Sequence, residues 1–227
     1  MNPYAQPSSN TRVIGDCVAD FLQANKKLEP KRIHCVGFSL GGHVCGFFAK
    51  RYKAKKIGRV TGLDAAGMHF DKKNRKARLD HADAQYVDAI HTSRLGMDRR
   101  LGRLDFYANN AKTQPGCIMS PRPRHAYDNT HQLRFDPFDP ISEALSCSHH
   151  RAPLLFAASI LHRPDVDHKS FCSFDNFCPC TSLKDFVAGK CKHGCINNPT
   201  MGYWSFVAGK VGSFYGKTSA SWPYCLD

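Results

Sequence analysis

Ile33-His34-Cys35-Val36-Gly37-Phe38-Ser39-Leu40-Gly41-Gly42-His43 is the stretch on which the reading of this chain turns. It places G-x-S-x-G between an apolar, strand-like run and a helix-like run. That order predicts a nucleophile elbow, a sharp strand-to-helix turn that lifts a serine hydroxyl above the edge of a sheet. Gly37 and Gly41 lack a Cβ, so the backbone can fold tightly beside Ser39. Leu40, next in the chain, is positioned to offer its backbone N–H to an oxyanion at the N-terminus of the new helix. Taken by itself the five-residue motif is weak, because a glycine-rich turn with an incidental serine looks the same. The surrounding periodicity separates the two.

Upstream, residues 11 to 28 read as an amphipathic helix, with Val13, Cys17, Phe21 and Ala24 on one stripe, Asn10 or Thr11 as cap and Pro30 as stop. Downstream, a helix is expected from about Gly42 to Tyr52. A buried strand follows over Ile57–Leu63 and ends on Asp64, and another covers Gln85–His91. Strand, helix and strand in alternation predict an α/β fold, a mostly parallel sheet with crossover helices. After Thr92 the pattern loosens, through Leu104-Asp105-Phe106-Tyr107 and Gln114-Pro115-Gly116-Cys117 to a long aperiodic stretch. A further helix is expected from about His149 to Leu161, with Ser148 as cap and Pro153 in its early turns. Short aromatic strands are expected at Tyr203–Phe206 and Phe214–Tyr215, in a disulfide-rich C-terminal part.

The totals narrow the classes. The 227 residues, 42% of them hydrophobic, suffice for a proper core, and no apolar run reaches the roughly 18 residues of a membrane span. The net charge of +13 favours anionic partners. The basic clusters at Lys50–Lys56 and Lys72–Arg78 hold a single interleaved aromatic, Tyr52, which argues against nucleic acid. Eleven cysteines, six of them from Cys172 to Cys225, indicate an oxidising compartment, and their spacing does not suit a zinc finger. An odd number leaves at least one thiol without a partner in the chain. The N-terminus carries no basic-then-apolar leader.

A serine hydroxyl needs a base to take its proton and an acid to orient that base. Behind an elbow the expected order is Ser, then Asp or Glu, then His. Asp64, at the carboxyl end of the next strand, faces the same rim as Ser39; Asp83 and Asp88 are its less well placed rivals. His149 and His150 are the candidate bases among twelve histidines.

These residues carry a resemblance to the animal pancreatic-lipase family, which includes lipoprotein, hepatic and endothelial lipases, arthropod neutral lipases and phospholipases A1. Gly37–His43 resembles that family's G-H-S-L-G-A-H, and Gly62-Leu63-Asp64-Ala65-Ala66-Gly67 its G-L-D-P-A-G. Asp83–Thr92, Asp105-Phe106-Tyr107, Gln114–Cys117, Cys147–Arg151, Met201-Gly202-Tyr203 and Pro223-Tyr224-Cys225 follow in matching order. The resemblance implies one α/β-hydrolase domain over residues 1–227, with Ser39 as nucleophile, Asp64 as orienting acid and His149 as base in C-x-H-x-R. It implies a secreted, extracellular carboxylic-ester hydrolase acting on lipids, either triacylglycerol or phospholipid, at an anionic membrane or lipoprotein surface. No cofactor is expected for the chemistry. A structural calcium ion is implied at Arg75, Arg78, Asp80 and Asp83, the arginines through their carbonyls; two carboxylates three residues apart suit a hard cation. Asp80 and Asp83 can equally pair with the lysines around them. A non-catalytic, lipid-binding relative of the yolk-protein kind is the alternative, although all three triad residues are present.

This chain departs from the family at Phe38, Gly42, Ala65 and Ala108-Asn109-Asn110-Ala111. Only 38 residues precede Ser39, so the first strands, the second oxyanion donor and a signal peptide are expected to lie outside the chain, leaving an N-terminally truncated domain that is inactive alone. Cys117 and Cys147 are expected to be bonded, with the 29 residues 118–146 between them forming a lid. That length leans toward acylglycerols, while the short rim between His91 and Asp105 leans toward phospholipids.

Overall fold

The computed structural model describes residues 4–24, 28–52, 55–117, 140–161, 174–191, 198–208 and 210–226. Its centre is a six-stranded sheet in the order β1-β2-β3-β4-β6-β5. The strands are β1 (His34–Phe38), β2 (Arg59–Leu63), β3 (Tyr86–His91), β4 (Leu104–Ala108), β5 (Cys178–Pro179) and β6 (Gly212–Gly216). All neighbours pair in parallel except β5, which runs antiparallel to β6. β2 and β4 are buried along their whole length, the pattern of strands covered on both faces. The chain therefore has the mostly parallel, helix-covered architecture of an α/β-hydrolase.

Two apolar clusters lie on the opposite faces. One joins Val60, Val87 and Ala89 to Phe47 and Phe48 of α2 (Leu40–Arg51) and Ala19 of α1 (Ala5–Ala24). The other joins Leu63, Ile90, Leu104 and Phe106 to Leu155, Phe156 and Ala158 of α3 (Pro140–Leu161). The pleat explains the division, since neighbouring residues of one strand point to opposite faces.

Several expectations are corrected. Helix α1 begins at Ala5, so Asn10 and Thr11 are interior residues, and the Thr11 hydroxyl donates to the Ser8 carbonyl. Its stripe of Val13, Cys17 and Phe21 faces outward, with Phe21 78% exposed. The inward face is Ser8, Thr11, Gly15 and Ala19. Close packing against α2 decides this: a Cβ on Gly15 would stand 2.7 Å from the Val44 carbonyl oxygen and 2.8 Å from the Phe47 Cβ. Helix α3 starts at Pro140, nine residues before the expected His149, so Ser148 is internal and Pro153 sits mid-helix. Ser148 instead spends its hydroxyl on a loop, accepting the Gln114 N–H at 3.0 Å. Tyr203–Ala208 forms 3-10 turns rather than a strand. Of the expected lid, residues 118–139 lie outside the described residues and 140–146 belong to α3. No helix among the described residues is long and apolar enough to cross a membrane.

His43, fully buried in α2, locks this layer to the sheet. Its Nδ1 accepts the Leu79 N–H at 3.1 Å, so Nε2 must carry the proton that reaches the Ala66 carbonyl at 2.8 Å. The ring stacks on Phe70 with centroids 3.7 Å apart. Burial first, then the nearby Arg78 and Lys50 charges, push its pKa down to about 4, against the pull of the Ala66 carbonyl. The unfolded chain takes up a proton near the ordinary 6.5, before the folded one does. His43 thus contributes stability that is present above pH 6.5 and lost as pH falls toward 4, by about 3 kcal/mol over the full window. Asp83, raised by burial to about 6, has the opposite sign, because its folded form binds the proton first. The stability difference between the protein and its His43→Gln variant therefore isolates the histidine. In denaturant titrations that difference should shrink steadily from pH 7 to pH 4; a constant difference would contradict this account.

Candidate active site

The elbow is present and strained. Ser39 stands between β1 and α2 at φ 54°, ψ −122°, left-handed backbone that side chains seldom adopt. It is held on both sides: its N–H donates to the Leu63 carbonyl at 3.0 Å, and its carbonyl accepts from Gly42 and Ala66, each at 3.1 Å. A Cβ on Gly37 would come within 2.2 Å of the Gly41 carbonyl oxygen, so this position requires glycine. Gly42 has the same logic: a Cβ there would stand 2.8 Å from the Ala65 Cβ. A disulfide between Cys35 of β1 and Cys45 of α2 ties the two arms together. Leu40 opens α2, where a backbone N–H has no carbonyl partner within the helix.

Asp64 follows β2, again at positive φ (45°), and is fully buried. Its Oδ1 accepts the backbone N–H groups of Thr92 (2.8 Å) and Ser93 (3.2 Å), and its Oδ2 accepts the Ser93 hydroxyl. The remaining approach to Oδ2 is taken by His149, whose Nδ1 donates at 2.7 Å. Gly96 lets the β3–β4 loop close over this carboxylate, since a Cβ there would stand 2.3 Å from Oδ1. The rivals are engaged elsewhere. Asp88 receives Arg59 through two nitrogens at 2.9 and 2.8 Å, and Asp83 faces Lys50.

His149 owes its place to a bracket of loop contacts around α3. The Gln114 amide donates to the Thr92 carbonyl at 2.8 Å and the Ala108 carbonyl at 3.0 Å, while its backbone N–H holds Ser148. Arg151 reaches the Pro115 carbonyl at 2.9 Å and lies 4.1 Å over the Tyr224 ring. Cys117 and Cys147 are joined in a disulfide beside them. His150 points away, donating from Nδ1 to the Ser146 carbonyl at 2.8 Å on an exposed face. Phe38 sets its ring 4.5 Å from that of His149 and 5.1 Å from that of His150, so this departure lines the imidazole with apolar surface.

A model of the Lipase family matches residues 1–224 of the chain. The chain belongs to the pancreatic-lipase family. It is 36% identical over 216 residues to bovine hepatic triacylglycerol lipase, covering 89% of this chain and 40% of that protein. Human pancreatic lipase-related protein 3 is 35% identical over 219 residues, 89% of this chain and 42% of that protein. Rat lipase member H is 31% identical over 241 residues, 98% and 47% respectively. The chain thus spans less than half the length of these relatives.

Within this lipase-family frame, two contacts at the site escaped the sequence. Ser93 grips Asp64 and lies 3.4 Å from His149 Nδ1; a serine in a short loop carries no signal of its own. Tyr4 shares a hydrogen bond with the Ser39 side chain, and burial raises its pKa against that bond. Its position just before α1, stacked on His69, could not be read from spacing. Of the expected calcium-binding residues, Asp83 meets Lys50 near the C-terminal end of α2, whereas the elbow is at its N-terminal end. Asp80 and Asp83 are buried there, and Asp83 Oδ2 meets the Lys50 ammonium at 2.5 Å.

If Asp64 orients a catalytic His149, Ser93→Ala in the full-length protein should lower turnover about tenfold with little change in KM, and Gly96→Ala should do more damage by displacing the carboxylate. Steady-state kinetics on an ester substrate, with circular dichroism to confirm folding, checks both. Full turnover in a folded Gly96→Ala variant would contradict the packing described.

Proposed function

We propose that the chain carries the catalytic face of a secreted serine hydrolase that cleaves lipid carboxylic esters. The observation that carries this is the buried Asp64–His149 pair at 2.7 Å, whose imidazole lies 4.5 Å from the ring of Phe38, the residue before a serine on a strained elbow. The Ser39 hydroxyl attacks the ester carbonyl while the second ring nitrogen of His149 takes its proton. Asp64, fixed by three donors besides His149, keeps the imidazole in the required tautomer and faces the positive charge as it forms. The Leu40 N–H donates to the tetrahedral oxyanion. His149 then returns the proton to the departing alcohol, leaving an acyl-serine. A water molecule, activated by the same histidine, attacks that ester, frees the fatty acid and restores Ser39.

One of the three relatives described above, hepatic triacylglycerol lipase, is named for triacylglycerol, and this supports acylglycerols as the first choice over phospholipids. Disulfides at Cys35–Cys45, Cys117–Cys147 and Cys180–Cys191 support an extracellular setting. A charge of +13 suits an anionic lipid interface.

In the full-length enzyme, Ser39→Ala should remove ester hydrolysis, by roughly 10⁴-fold or more, without loss of fold. His149→Ala should be comparably severe, whereas His150→Ala should retain most activity. Hydrolysis of emulsified tributyrin, followed by titration of released acid, measures all three. Near-normal rates in the Ser39→Ala variant would remove the proposal, and a worse His150 variant would move the base by one residue.

A further inference from the structure

The family's calcium site and this chain's side chains disagree. A calcium ion takes six to eight oxygens at 2.3–2.6 Å. Of the oxygens expected to serve it, the Arg78 carbonyl, Asp83 Oδ2 and Asp80 Oδ1 are already committed. The Lys50 ammonium lies 2.5 Å from Asp83 Oδ2 and 2.7 Å from the Arg78 carbonyl oxygen. Asp83 Oδ2 also accepts the Asp80 N–H at 2.9 Å. Asp80 Oδ1 accepts the Ala82 N–H at 3.1 Å, and Asp80 Oδ2 faces the Arg78 guanidinium at 3.9 Å. A dication placed among these groups would sit against an ammonium and a guanidinium, with little water to screen them. The residues do not fit the metal.

They fit the lysine. Lys50 lies four residues after Gly46, on the same face of α2. Because Gly46 has no side chain, the loop comes close: a Cβ there would stand 2.9 Å from Leu79 Cα and 3.1 Å from Asp83 Oδ2. The lysine stem runs past the Phe47 ring, 5.9 Å from the nitrogen, and delivers its charge where helix and loop meet. The Lys50 side chain remains 24% exposed and the Asp83 side chain only 5%.

We infer that the Lys50 ammonium is the resident cation of this site, replacing a structural calcium ion by a charge built into α2. The loop from Arg75 to Asp83 is then held without any metal, and with it the Leu79 N–H that anchors His43.

The test is thermal unfolding of the protein in excess calcium chloride and in excess chelator, with calorimetric titration of calcium. The protein itself should show the same midpoint in both and no calcium heat. Lys50→Met, which keeps the stem, should lose at least about 5 °C in chelator, because it leaves a buried carboxylate unpaired. Lys50→Ala opens space as well, and millimolar calcium should return part of its lost midpoint. Calcium binding by the unaltered protein would overturn the inference. So would a Lys50→Met variant as stable as its parent, or a Lys50→Ala variant indifferent to calcium. If Lys50→Met fails to fold, the calcium titration of the unaltered protein still decides.

Discussion

Parallel pairing of β1, β2 and β3 is the constraint on which the site depends. In this register Phe38 lies opposite Leu63 and Leu63 opposite Ile90, so the three strands end together. The ladder then continues one step beyond each strand: the Ser39 N–H reaches Leu63, and the Asp64 N–H reaches Ile90 at 2.7 Å. Each residue leaves the strand through positive φ. Serine and aspartate are thereby fixed to the sheet by their backbones, and neither side chain is needed to hold that ladder.

A second layer of control is the pairing of buried acids. Asp88 is matched by Arg59 and Thr61, and Asp105 by His91 together with the N–H groups of Leu101 and Gly102. Asp83 is matched by Lys50. Burying a lone carboxylate is costly, and each of these has partners that stay with it. Asp64 differs in what holds it. Its fixed donors are neutral, two amides and a hydroxyl, so positive charge can come to it only from His149. An acid satisfied by a resident cation could not respond to an imidazolium that forms and vanishes during a reaction.

The elbow and the acid-bearing strand end are legible because each rests on local chemistry, a glycine-flanked serine and an aspartate closing an apolar run, whereas His149 is picked out only by its resemblance to C-x-H-x-R. What escaped depends on distant parts of the chain. The buried face of α1 is not legible in its hydrophobic stripe, because the small residues Gly15 and Ala19 let α2 approach and a stripe cannot signal closeness. Helix α3 begins nine residues before the expected His149, because Ser148 resembles a cap in sequence while Gln114 claims its hydroxyl in the fold. Ser93 and Tyr4 meet the site through loop and helix placement, which no spacing encodes. The motif around Gln114 was recognised by resemblance, but its physical work of tying Thr92, Ala108 and α3 together appears only in three dimensions.

Cys35 and Cys45 flank Ser39 in sequence and are bonded across the turn that presents it. The strained serine is thus enclosed in a small covalent ring, closed by oxidation and not by packing alone. A newly made chain in a reducing cytosol would have the same residues but a looser turn, with less to hold Ser39 at its unfavourable backbone angles. The shape of this turn is therefore tied to redox state: reducing the Cys35–Cys45 bond would leave the backbone angles of Ser39 to its hydrogen bonds with Leu63, Gly42 and Ala66 alone.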